Sequence, residues 1–272
     1  QLNIVHYTTT PEVANRLDLA FNSERANDRK TWLSCYNSDL IPDFTQDSIS
    51  FNNFVDEELI HFSNADNIRS LPNIIDGLKP SIRKVLFCSF KRKLTSEIKV
   101  AQLSGYTSEH SAYHHGEVSL ENTIKNMAQD FVGSNNINYL EPIGQFGSRL
   151  QGGKDAAQSR YIFTKLNPLT RTLFNEHDDV LCNYLDDDGQ GIEPEYYYPI
   201  LPALLINGSQ GIGTGYSTKI PMYNPLDLSN YIRRRLSGDA SPIVMKPWYK
   251  GFKGRIEPVS YTHLRAHETR HD

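Results

Sequence analysis

Two adjoining stretches decide the fold: Ile143-Gly-Gln-Phe-Gly-Ser-Arg-Leu-Gln-Gly-Gly-Lys154, and Ser159-Arg-Tyr-Ile-Phe-Thr164 just after it. The first carries four glycines and reads as a loop; the second has β-strand composition. Upstream, Leu120, Ile124, Met127, Ala128 and Phe131 recur at i, i+4, i+7, i+8 and i+11, one apolar face of a helix that Gly133 ends. Before it, Pro80 suits a first helical turn, and Ile82, Val85, Leu86 and Phe90 follow at helical spacing. Helix, turn, helix and then a hairpin with a glycine tip is the outline of a winged helix.

On either side of this unit the texture changes. Pro11 to Phe21 has a helical pattern, the charged stretch Glu24 to Lys30 follows, and Ile41-Pro42-Asp43-Phe44 reads as a connector. A helix is expected from Glu57 to Ile68. After Leu173 the chain turns acidic, with Asp186-Asp187-Asp188-Gly189 as an exposed turn. Leu204-Leu205-Ile206 reads as a buried strand, and Gly208 to Gly215 as a tight glycine loop. The expected class is mixed α/β (α+β): a winged-helix DNA-binding domain followed by part of an α/β lobe.

The chain has 272 residues, a net charge of -4 and 38% hydrophobic residues. That is enough apolar material for a core, and it excludes a uniformly basic coat. Basic charge is local: Lys79 to Lys99 holds Lys79, Arg83, Lys84, Lys91, Arg92, Lys93 and Lys99 against one acid, Glu97. No apolar run approaches the roughly 18 residues of a spanning helix, so no membrane partner is expected. Cys35, Cys88 and Cys182 form no metal-binding or disulfide pattern. The opening Gln1-Leu2-Asn3-Ile4 is neither a signal peptide nor an initiator methionine, and the chain is expected to begin inside a longer protein.

Several motifs fail on chemistry. Gly208 to Gly215 matches neither G-x-G-x-x-G nor a G-K-[ST] phosphate loop, so its glycines are expected to serve a sharp turn or a close approach. The Asp186 turn lacks the closing glutamate of a calcium loop. His114 and His115, being adjacent, do not share a helix face; before a helix N-terminus they suit a phosphate better than a metal. His263, His267 and His271 recur in steps of four, but residues 259–272 resemble a translated adapter sequence and are taken as a non-native tail.

Over residues 12–258 the chain resembles the breakage-reunion region of eukaryotic-type DNA topoisomerase II, a type IIA topoisomerase. The resemblance rests on Ala112-Tyr-His-His-Gly-Glu117, Phe131-Val-Gly-Ser-Asn-Asn136, Gly152-Gly-Lys-Asp155, Ser159-Arg-Tyr-Ile-Phe-Thr164 and Ile206-Asn-Gly-Ser-Gln-Gly-Ile-Gly-Thr-Gly215, in that order. It implies that residues 1–57 end a metal-binding (TOPRIM) domain and its linker, that 58–173 form the winged-helix domain, and that 174–258 begin the tower. Tyr161 matches the family nucleophile and Arg160 its neighbour at the scissile phosphate. Arg83, Lys79, Lys84, His114 and His115 are expected to contact DNA, and Ile212 matches the residue that wedges between base pairs. The family's Gly-Gln before the arginine is Ser81-Ile82 here.

The resemblance further implies double-stranded DNA as partner, a homodimer, and Mg²⁺ and ATP for the full-length enzyme, with their ligand sites outside this chain. No complete metal site is therefore expected here. A nuclear location follows for a cellular source, a viral one being the other origin. Chemically, a phenol is only about a thousandth ionised at neutral pH, so a tyrosine nucleophile needs cationic help. The competing reading is a winged-helix module that binds DNA without chemistry; a buried Tyr161 hydroxyl would favour it.

Overall fold

The computed structural model describes residues 5–257; the expected non-native tail at 259–272 lies outside them. Among the described residues the sheets are four two-stranded ribbons. His6–Thr8 pairs in parallel with Ser48–Ser50, and the other three ribbons are antiparallel. Helices supply most of the core.

The N-terminal part packs Val13–Phe21 and Ala26–Ser34 around Leu19, Trp32, Val55 and Ile60. The helix expected from residue 57 starts earlier. It runs from Phe51 through a π-helical stretch, Phe54–Leu59, into Ile60–Ser70, with the Ser50 hydroxyl accepting from the Asn53 N–H at its start. It therefore runs across the expected 57/58 division.

The main core gathers Val85, Leu86 and Phe90 of the Pro80–Lys91 helix with Leu120, Ile124, Met127 and Ala128 of the Glu117–Ala128 helix. The first helix follows its apolar stripe, and Pro80 sits in its first turn, where its missing N–H costs nothing. The second ends at Ala128, because Gln129 turns to extended backbone, so Phe131 lies beyond the helix and Gly133 does not end it. Between them lies a helix that the periodicity did not announce, Val100–His110, which buries Val100, Leu103, Ser104 and Thr107. Tertiary burial, rather than an apolar stripe, holds it.

The glycine stretch forms the expected loop between paired strands. Ile143 bridges to Phe163 and Leu140 to Leu166, while Ile98–Lys99 pairs with Phe163–Thr164. Gly147 (φ +98°) and Gly153 (φ +82°) pass so close that a Cβ on Gly147 would stand 2.5 Å from the Gly153 Cα. The Gln129 side-chain amide donates to the Phe146 carbonyl at 2.9 Å and braces the loop from the Glu117–Ala128 helix end. The strand expected over residues 160–164 is shorter: only Phe163–Thr164 is extended and paired, and Arg160 and Tyr161 lie in a turn.

The second half begins with a hairpin, Tyr184–Asp187 with Gln190–Pro194, turned by Asp188 and Gly189, both at positive φ. Leu204-Leu205-Ile206, expected as a strand, lies in the short helix Ala203–Asn207. Pro202 starts that helix and Gly208, at φ 62°, ends it; an apolar triplet alone does not separate strand from buried helix. The glycine loop of residues 208–215 is a β-hairpin, Ser209–Ile212 with Ser217–Ile220.

Two asparagines lock the halves together. Asn207 Oδ1 accepts from the Asn136 and Ile137 backbone N–H groups. The buried Asn136 amide donates to the carbonyls of Ile206, Tyr223 and Trp248, and its oxygen accepts from the Lys250 N–H. Burying such an amide is tolerated because it is fully hydrogen-bonded.

Candidate active site

Tyr161 is presented by an alternation of anchors and free residues. Ser159 and Ile162 are buried, while Arg160 and Tyr161 between them are exposed, Tyr161 at 66%. The start of the Val100–His110 helix grips both anchors: the Ala101 N–H donates to the Ser159 carbonyl at 3.2 Å and the Val100 N–H to the Ile162 carbonyl at 3.0 Å. The Tyr161 N–H donates to the Gln158 carbonyl at 2.9 Å and closes the turn. Such a turn pushes a phenol into solvent where a full strand would pair its backbone and pack its ring. The Arg160 guanidinium carbon lies 4.9 Å from the Tyr161 ring centroid, a cation–π contact that places a permanent positive charge beside the phenol.

A second group of candidates lines a cleft of about 970 Å³ that contains Lys79, Lys84, His114, His115 and Ile212. Arg160 and Tyr161 do not line it. His114 and His115 are both exposed and directly precede Gly116, the N-cap of the Glu117–Ala128 helix, whose leading N–H groups add positive potential. His115 stacks edge-on against Tyr113, with ring centroids 5.4 Å apart. His114 Nε2 stands 3.5 Å from Asp187 Oδ2 on the acidic hairpin; His114 is exposed and Asp187 only half-buried, so the pair contributes little.

The basic run is less of an exposed patch than its composition suggests. Arg83, expected at the phosphate, is 5% exposed and turned inward. Its Nε donates to Asp76 Oδ2 at 2.7 Å and an Nη to Asp76 Oδ1 at 3.0 Å, a fork-to-fork pair, and the same Nη reaches the Leu78 carbonyl at 3.1 Å. In this conformation Arg83 organises the loop beneath the cleft instead of facing a ligand. Lys84 donates to Glu193 Oε2 at 2.8 Å and to the Ser111 carbonyl. Lys79 donates to the Gln210 carbonyl at 2.8 Å, and partial burial pulls its pKa below the ordinary lysine value. Lys91, Arg92, Lys93 and Lys99 are the exposed cations of the run.

Asp76 and Glu193 were missed from the sequence. Asp76 is completely buried; besides Arg83, its carboxylate accepts from the Leu78 N–H at 2.9 Å and from the Tyr197 N–H at 3.0 Å. Asp76 stands only seven residues before Arg83, a spacing that could have raised the pairing; Glu193 lies 109 residues from Lys84 and gave no signal.

Ile212, weighed against a core isoleucine, is 75% exposed at the tip of its hairpin. Among the described residues no group of three or more His, Cys, Asp or Glu side chains could hold a metal ion, and no helix is long and apolar enough to cross a membrane.

Comparison with known proteins is consistent along the chain. The DNA gyrase/topoisomerase IV family model matches residues 69–269, and that of the C-terminal associated domain of TOPRIM matches residues 2–67. DNA topoisomerase 2 of Plasmodium falciparum is 56% identical over 243 residues, covering 89% of this chain and 17% of the relative. The mitochondrial DNA topoisomerase 2 of Dictyostelium discoideum is 49% identical over 261 residues, 96% of this chain and 20% of its own length. The chain thus spans about a fifth of these curated relatives. The crystal structure of the P. falciparum topoisomerase II DNA-binding, cleavage and re-ligation domain superposes with a TM-score of 0.83 at 54% identity, covering 94% of this chain and 35% of that one. A mixed helix-and-strand fold, an exposed tyrosine beside an arginine, and matches that run through both halves lead to one family: the chain belongs to the type II DNA topoisomerases, within the DNA gyrase/topoisomerase IV family.

Proposed function

We propose that this chain is the DNA breakage-reunion part of an ATP-dependent type II topoisomerase, with Tyr161 as its nucleophile. The observation that carries the reading is the exposed Tyr161 side chain on a braced turn beside Arg160; a module that only bound DNA would have no reason to hold a phenol out of the core. The Tyr161 oxygen attacks a DNA phosphorus and forms a 5′-phosphotyrosyl bond as the bond to the 3′ oxygen breaks; the phenol proton leaves and the 3′ oxygen takes one up. Reversal reseals the strand, since the phosphodiester energy is kept. Two such cuts on opposite strands make the transient double-strand break through which a second duplex passes.

In this reading residues 1–57 close the metal-binding domain, 58–173 are the winged-helix domain and 174–258 begin the tower. Mg²⁺ and ATP act in the full-length homodimer through residues outside this chain, in the nucleus of a eukaryotic source. Arg160 stabilises the charge that builds on the phosphate. Lys79, Lys84, His114 and His115 line the cleft that holds the duplex, Arg83 fixes the loop beneath it, and Ile212 wedges a base step.

Arg160→Ala in the full-length enzyme is expected to lower the cleavage rate about 10²–10³-fold while leaving a residual reaction, because charge stabilisation goes but the nucleophile stays. Rates of adduct formation on a denaturing gel measure this; a wild-type rate would remove Arg160 from the site. Duplex binding by the full-length enzyme is expected to fall steeply between low and moderate salt and to vary little with sequence, since phosphates supply the contacts. A flat salt response would contradict that assignment.

A further inference from the structure

The hairpin that carries Ile212 is built to be clamped. Along its first strand, side-chain positions alternate: Gly211 is buried, Ile212 exposed, and Gly213 again faces inward. What the glycines face is the end of the Ile60–Ser70 helix. A Cβ on Gly211 would stand 2.2 Å from the Ser70 carbonyl oxygen, and one on Gly213 would stand 2.1 Å from Asn67 Oδ1. Neither glycine is at positive φ, so close approach rather than backbone strain explains them. Glycine at two alternate positions lets the strand lie flat on the helix and turns the one side chain between them outward.

Polar contacts then fix this placement from both ends of the strand. The Asn67 amide donates to the Thr214 carbonyl at 3.1 Å, and the Thr214 hydroxyl to Asp66 Oδ2 at 3.3 Å. Asp66 is itself held by Arg69, whose Nε and Nη donate to its Oδ1 at 3.1 and 3.0 Å. At the other end Lys79 Nζ donates to the Gln210 carbonyl at 2.8 Å. Ile212 stands between these clamps, on a hairpin whose own turn is closed by Gly213 N–H donating to the Tyr216 carbonyl at 2.9 Å.

We infer that Asn67, Gly211 and Gly213 are positioning residues for DNA deformation: the Ile60–Ser70 helix, at the start of the stretch read as the winged-helix domain, is the rigid anvil against which the Ile212 hairpin is driven into a base step. This rests on the reading of Ile212 as a wedge. An apolar wedge must push against the stacking of a base step, so a hairpin free to recoil would stay out of the stack while its neighbours still held the phosphates. The DNA-bending step is thereby tied to the joint between the two core clusters of this chain, and Asn67 acts without touching the nucleic acid.

The test uses the full-length enzyme and a duplex labelled for FRET at both ends, read at saturating protein. Four variants are compared with wild type: Ile212→Ala, Asn67→Ala, Gly211→Ala and, as control, Gly105→Ala, whose added methyl meets nothing within 4 Å. Asn67→Ala and Gly211→Ala are expected to lose the bend to the level of Ile212→Ala. Gly211→Ala, whose methyl meets the Ser70 carbonyl, should lower the thermal midpoint, whereas the midpoint of Asn67→Ala and the salt dependence of binding of both variants should match those of the control, a combination that simple unfolding would not produce. If Ile212→Ala loses the bend and both joint variants keep it, the clamp is overturned while the wedge stands. If Ile212→Ala itself bends DNA as wild type does, the wedge reading fails and takes the clamp with it. If Asn67→Ala loses bending only together with its fold or its salt slope, the residues are merely structural and the inference fails.

Discussion

Tyr161→Phe is expected to abolish covalent protein–DNA adduct in the full-length enzyme while leaving fold and DNA binding close to wild type. The substitution removes one oxygen. Phenylalanine keeps the ring that faces the Arg160 guanidinium, and the turn depends on backbone bonds to Gln158, Val100 and Ala101 that do not involve the hydroxyl. At 66% exposure the ring contributes little to the core, so the stability cost of the change should stay within about 0.5 kcal/mol, the range of ordinary surface substitutions. The effect on chemistry is total, because no neighbouring group replaces the attacking oxygen: Arg160 is cationic and has no lone pair to offer. Loss of adduct on a denaturing gel, with unchanged gel-shift affinity, is the expected pair of results. Adduct at the wild-type level would move the nucleophile elsewhere.

The second large effect is structural. Asp76→Ala should destabilise the fold by about 3–5 kcal/mol, the cost of leaving a buried charge without its partner. Asp76 is fully buried and Arg83 is 5% exposed, so solvent cannot take over the missing carboxylate. The loss also orphans the backbone N–H groups of Leu78 and Tyr197 that donate to it. Against a typical domain stability of about 5–15 kcal/mol, this removes a large share. Arg83→Lys should be milder, since an ammonium keeps the charge but cannot reproduce the two-pronged pairing. Denaturant melts check both; a shift under about 1 kcal/mol for Asp76→Ala would show that the pair is not the loop's anchor.

The sequence was most legible where a periodic pattern coincided with burial. The stripe through Leu120, Ile124, Met127 and Ala128 and the one through Val85, Leu86 and Phe90 became helices whose apolar faces meet in one core. It was least legible where distant partners decide the outcome. Val100–His110 carries serines, a threonine and a glycine that no apolar period marks, and it is a helix because its neighbours bury it. The Leu204-Leu205-Ile206 triplet fits a strand as well as a helix until Pro202 and Gly208 are read as its ends.

The candidate site shows the same division. That Tyr161 and Arg160 adjoin is written in the chain; that they sit on a turn rather than in a strand follows from the grip of Val100 and Ala101, far upstream in sequence. The basic run from Lys79 to Lys99 reads as a single patch, yet Asp76 and Glu193 take up Arg83 and Lys84. Composition counts charges but not the carboxylates that fold onto them. The glycines of residues 208–215 were legible as a close approach, and the surface approached, Asn67 and Ser70, became visible only in three dimensions.

The most direct test of the central claim is to trap the cleavage complex of the full-length enzyme with denaturant, digest it with protease and nuclease, and sequence the peptide left on the 5′ end of the cut DNA by mass spectrometry. The account predicts a peptide containing Arg160 and Tyr161, with the nucleotide phosphate on the Tyr161 oxygen. A phosphorylated nucleotide adduct on any other residue, or attachment to the 3′ end, would contradict it.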